Sequence, residues 1–231
     1  MLRLLLAGIL LFVVGCEEVP PYPDTPPEAT FERQLLDVSS AATDSIQVKD
    51  SVAPLQQLQH LEPTLKLREL RLDQTPITDA EAEKIAAIES LKIVNLPASE
   101  LTDEGLAKIA ALPNLELLRI GSPNITDAAI AKVGESKSIL YLHLLHCPIT
   151  DASIDSIAQL EQLQSFYADD TKLTDEGVSK LVKARPQLHI HFNDLHPEGS
   201  SADHSHDHDH GHDHAHGHDH DHDHDHHDHS H

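Results

Sequence analysis

Residues 101–120 read LTDEGLAKIAALPNLELLRI, and their spacing decides the fold. Leu106, Ile109, Ala110 and Leu112 recur at helical intervals with polar residues between them. Thr102 and Asp103 stand just before that run, as an N-cap and a first-turn acid: the threonine oxygen accepts an orphan N–H and the carboxylate meets the positive helix end. Leu115, Leu118 and Ile120 then follow in an L-x-x-L-x-L pattern that ends in strand-like alternation.

Working outward, Thr-Asp recurs at 78–79, 102–103, 126–127, 150–151 and 174–175, an unbroken period of 24. The apolar pattern recurs with it, as Leu67, Leu70, Leu72, then Leu91, Val94, Leu96, then Ile139, Leu142, Leu144. It weakens at Leu163, Phe166, Ala168 and further at Gln187, Ile190, Phe192. Ile46 and Val48 stand in register with Leu70 and Leu72 and predict a degenerate first coil, capped by a helix over 31–38. Residues 78–81 form a full capping box. Each unit is thus a short strand, a turn, a capped helix and a return, which buries its apolar face only against stacked neighbours.

These residues resemble the leucine-rich-repeat family over 53–196, in the form typified by 101–120 that many bacterial members share. The resemblance implies an α/β solenoid with parallel strands on the concave side and helices on the convex side. It also implies a ladder of inward polar residues after each strand, at Thr75, Ser99, Pro123, Cys147, Thr171 and Leu195; Pro123 and Leu195 depart from the pattern.

The chain opens MLRLLLAGILLFVVGC, one cation and then an apolar run too short to span a bilayer, which predicts a secretory signal over 1–15. The segment 13–16 resembles the bacterial lipobox, which implies acylation of Cys16 and a lipid-anchored protein of the cell envelope, periplasmic or surface-facing. Five prolines in residues 17–27 predict a stalk over 16–30, extended by about 3.1 Å per residue. A capping segment over 31–52 and the solenoid over 53–198 follow. With Cys16 taken by lipid, Cys147 has no intramolecular partner. A formal charge of -23 argues against nucleic acid and for metal cations or basic groups.

On the concave face two columns are expected: Glu69, Ile93, Leu117, Tyr141, Ser165, His189, and beside it Arg71, Asn95, Arg119, His143, Tyr167, His191. Arg119, Tyr141, His143, Tyr167, His189 and His191 are candidates to bind an envelope protein partner, since interface centres are rich in such residues. His189 and His191 are also half of a metal site, in need of further ligands. His143, His146 and Cys147 look like a zinc motif, but strand alternation turns their donors apart. The stacked aspartates read as helix caps. No motif for catalysis occurs, and the reading is of a non-enzyme. Gly105 and Gly177 fall inside a first helical turn.

From 199 to 231 the composition is fifteen His and nine Asp with no Lys or Arg, which predicts disorder. The candidate ligands are His204, His206, His208, His210, His212, His214, His216, His218, His220, His222, His224, His226, His227, His229 and His231. Neutral imidazoles suit zinc, nickel, copper or cobalt, and flexible alternation gives exchangeable, weakly held sites that empty as pH falls through about 6.5. The leading expectation is a lipoprotein that binds or buffers divalent transition metal, zinc first, on its tail. The alternative is a protein-interaction module that uses the concave face.

Overall fold

The computed structural model describes residues 27–193 and 195–200, with side chains from residue 31 onward. Cys16 and the histidines of 204–231 lie outside the described residues. Seven strands stand in chain order in one parallel sheet: β1 (Ser45–Val48), β2 (Glu69–Leu72), β3 (Ile93–Leu96), β4 (Leu117–Gly121), β5 (Tyr141–Leu145), β6 (Ser165–Asp169) and β7 (His189–Phe192). Helices alternate with them: α1 (Pro27–Ser39), α2 (Leu55–Leu58), α3 (Asp79–Ala86), α4 (Asp103–Ala110), α5 (Asp127–Val133), α6 (Ile154–Ala158) and α7 (Asp175–Ala184). This is the expected α/β repeat arrangement. Among the described residues no helix is long and apolar enough to cross a membrane.

Strand register follows the 24-residue period, with Leu117 opposite Ile93 and Tyr141, and Arg119 opposite Asn95 and His143. Both columns expected from the sequence therefore form. Leu70, Val94, Leu118, Leu142, Phe166 and Ile190 point the other way and are fully buried beneath the helices. Each such side chain contributes about 1.5–3 kcal/mol by leaving water.

The N-terminal end is covered by α1, which begins at Pro27 and so takes 27–30 from the stalk expected over 16–30. Proline suits a first helical position because no hydrogen bond is lost there. Phe31 and Val38 enter the core. Gln34 clips the sheet's first edge: its Oε1 accepts from the Gln47 N–H at 2.7 Å and its Nε2 donates to the Gln47 carbonyl at 3.0 Å.

The recurring threonines cap their helices as expected, with Thr102 and Thr126 accepting from Glu104 and Ala128 N–H groups. The aspartates do more than cap. Asp79 accepts the N–H and O–H of Thr102 at 2.9 and 2.6 Å, and Asp103, Asp127 and Asp151 do the same for Thr126, Thr150 and Thr174. Each carboxylate thus ties its coil to the next. Thr78 has Leu55 where the preceding aspartate would stand, and its own Glu81 accepts its N–H at 3.0 Å instead. In later coils the Glu81 position holds Gly105, Ala129, Ser153 and Gly177. A Cβ on Gly105 or Gly177 would meet the carboxylate of Asp79 or Asp151 at 2.1 Å, so these two coils admit no side chain there without a shift, whereas the coils with Ala129 and Ser153 carry one.

The polar ladder runs past Pro123 but not through Thr171, whose hydroxyl accepts from the Leu173 N–H of its own coil at 3.4 Å. Thr75 Oγ1 accepts from Ala53 N–H at 2.9 Å and Ser99 Oγ donates to the Gly121 carbonyl at 2.8 Å. Where Pro123 interrupts, buried Ser122 one residue earlier donates to the Leu101 carbonyl at 2.7 Å. Leu195 does end the ladder, at 71% exposure. In the last coil Leu188 rather than Gln187 fills the inward position, because α7 runs to Ala184 and shortens the return to β7.

Candidate metal centre

His189 and His191 share the open face of β7, while Ile190 between them goes to the core. Their Nε2 atoms are 2.8 Å apart. His189 is 8% exposed and His191 is half-buried. The cover comes from a reversal after β7. Phe192 N–H donates to the Leu195 carbonyl at 2.8 Å and Leu195 N–H returns a bond to Phe192 at 3.1 Å. Asn193 holds the turn in the left-handed region at φ 49°, which asparagine tolerates well. It is tied to β6's coil, donating its N–H to Ala168 at 3.1 Å and accepting from Asp170 N–H at 3.1 Å.

The reversal lays His196 back over the strand. Its ring centroid is 3.8 Å from that of His191 and 5.1 Å from that of His189. One ligand nitrogen from each of the three histidines lies within 4.8 Å of the others, so this triad can hold a metal ion. Three imidazoles, the ligand set among the described residues, suit zinc, copper, nickel or cobalt and leave one tetrahedral position open.

Beside the triad, Tyr167, His143 and Arg119 of the predicted partner residues form a connected row. Tyr167 lies flat on His191, centroids 4.4 Å apart and planes 9° off parallel. His143 is next, its ring 5.2 Å from Tyr167. Arg119 Nε donates to His143 Nδ1 at 3.2 Å, which leaves the proton on His143 Nε2 to face Asp169 Oδ2 at 2.7 Å. Arg119 Nη1 also donates to Asn95 Oδ1 at 3.2 Å, and Asn95 Nδ2 to Asp73 at 3.0 Å. Burial lowers the Arg119 pKa, against the pull of Asp73 and Asp169. Burial also raises the Tyr167 phenol, so it stays protonated.

Tyr141 stands apart in the other column, where its hydroxyl donates to Gln164 at 3.0 Å. His143, His146 and Cys147 do diverge. His146 pairs with Asp170 at 2.8 Å and Cys147 is buried with its Sγ donating to the Leu145 carbonyl at 3.2 Å; burial raises that thiol's pKa. The residue that sequence reasoning missed is His196. Its signal was Asn193, a residue type that tolerates the left-handed turn by which the chain doubles back on β7. No protein-family model matches this chain, and no curated protein matches its sequence.

Proposed function

We propose that this chain is a non-enzymatic, leucine-rich-repeat lipoprotein of the bacterial envelope that captures and buffers divalent transition metal. Zinc is the first candidate, with nickel, copper and cobalt sharing its preference for imidazole. The convergence of His189, His191 and His196 carries the reading, because it supplies a fixed site on the solenoid in addition to the fifteen histidines of the tail sequence. The fixed site is a single position, whereas the tail composition favours several weakly held ions. Acylation at Cys16 after the apolar leader would keep both in the envelope.

Equilibrium dialysis of protein purified without a nickel column tests this. The full chain is expected to take up several zinc ions, a chain ended at Ser201 about one, and that shorter chain with His189, His191 and His196 all changed to Ala none. Equal uptake by all three removes the proposal. Labelled palmitate should enter the parent and not Cys16→Ser.

A second reading, a partner-binding face, draws support from the preset row of Arg119, His143 and Tyr167. Capture of one envelope protein by the parent but not by Tyr141→Ala with Tyr167→Ala is its expected result.

A further inference from the structure

We infer that metal loading at His189, His191 and His196 is transmitted through Tyr167 to the His143–Arg119 pair, giving the open sheet face distinct metal-free and metal-bound forms. This rests on the reading of the triad as a metal site. The starting point is a mismatch of lengths. The two Nε2 atoms of His189 and His191 are 2.8 Å apart, a hydrogen-bond distance that needs a proton on one of them. Two imidazole nitrogens on one tetrahedral zinc, each about 2.0–2.1 Å from the ion, stand about 3.3 Å apart. An ion held through both Nε2 atoms and the hydrogen bond between them therefore exclude each other. On loading, the shared proton passes to the other nitrogen of its own ring or to solvent, and the two rings spread by about half an ångström.

His189 is the ring least able to yield, being buried on β7. His191 and the exposed His196 must take up the change. His191 cannot shift alone, because Tyr167 is stacked flat against it at 4.4 Å. On Tyr167's other flank is the His143 ring, itself held between the Arg119 guanidinium and the Asp169 carboxylate. Close-packed rings pass on such a displacement rather than absorb it. Arg119, bonded onward to Asn95, is where the row meets the rest of the face.

The chain has three tyrosines and no tryptophan, so the full chain with Tyr22→Phe and Tyr141→Phe reports Tyr167 alone by its fluorescence. Zinc chloride is the probe. Expected is a saturable change in Tyr167 emission that disappears in His196→Ala, an exposed position, while dialysis shows that variant still binding zinc but about one ion fewer. Unchanged emission with that one-ion deficit overturns the coupling and leaves the metal site standing. Equal zinc uptake with and without His196 overturns both. A change that persists in His196→Ala also overturns the coupling, since it then originates elsewhere. The far end is read by the Arg119 Nε–H proton resonance, assigned through its loss in Arg119→Lys. It should move on zinc addition in the parent and in Tyr167→Phe, which keeps the ring, and stay still in Tyr167→Ala; movement in Tyr167→Ala rules out the route through Tyr167.

Discussion

Asp127, one carboxylate, accepts three hydrogen bonds from the coil that follows it: from the N–H and O–H of Thr150 at 2.8 and 2.7 Å and from the Ser153 hydroxyl. Burial alone would raise its pKa, but the bonds from Ser153 and Thr150 outweigh that and hold the carboxyl below the usual value of 3.8. Asp79 is lowered in the same way: burial raises it, and the Thr102 and Gly105 hydrogen bonds and the Lys108 charge prevail. Folding therefore favours the ionised forms. Their contribution is complete above the unfolded carboxylate value and is lost as pH falls through the lower folded one. Asp127→Asn should cost about 1 kcal/mol at neutral pH, modest because the site is partly solvated, and should flatten the acid limb of stability below about pH 4. Urea midpoints measured from pH 7 to pH 2 check this; parallel acid limbs for parent and variant would contradict it.

At the scale of the element, α7 is held at its C-terminal end by a single side chain. The Arg185 guanidinium donates to four carbonyls of the coil before it, those of Ala158, Leu160, Glu161 and Leu163, at 2.6 to 3.1 Å. A planar fork reaches four acceptors at once, and an ammonium does not. Arg185→Lys should therefore cost about 1–3 kcal/mol by leaving helix-end and turn carbonyls unpaired, read as a lower urea midpoint with unchanged slope. A midpoint within error of the parent's would show that water replaces the fork. Neither this clamp nor the aspartate ties between coils could be read from residue spacing. The strands could, since a fixed period of 24 with alternating apolar positions leaves one register, and β2 to β7 occupy it. Side chains that bridge coils depend on rotamers and on what the neighbouring coil offers, so Asp79 read as a cap alone. His196 was hidden for a related reason: the repeat register carries the solenoid through 198, whereas the chain turns back at Asn193.

Across the whole molecule the two ends of the sheet are closed by different chemistry. β1 is covered by a packed helix with Phe31 in the core and Gln34 on the strand's backbone. β7 is covered by a short reversal that lays His196 over His189 and His191 of the strand itself. In a stacked repeat, stability is a sum of local terms and nearest-neighbour interfaces, so an ion bound at one end stabilises mainly the coils beside it. Zinc at about one hundred times the triad's dissociation constant would add about 2.7 kcal/mol to opening reactions that break the site. Amide exchange in β7 and in the 192–196 reversal should then slow about a hundredfold, the effect should fade through β6 and β5, and β1 and β2 should exchange as before. His196→Ala should remove the slowing while leaving zinc uptake by the tail. If the protection instead spreads evenly from β1 to β7, the coils open as one cooperative unit and the metal acts on the fold as a whole; if it is absent from β7, the triad does not hold the ion.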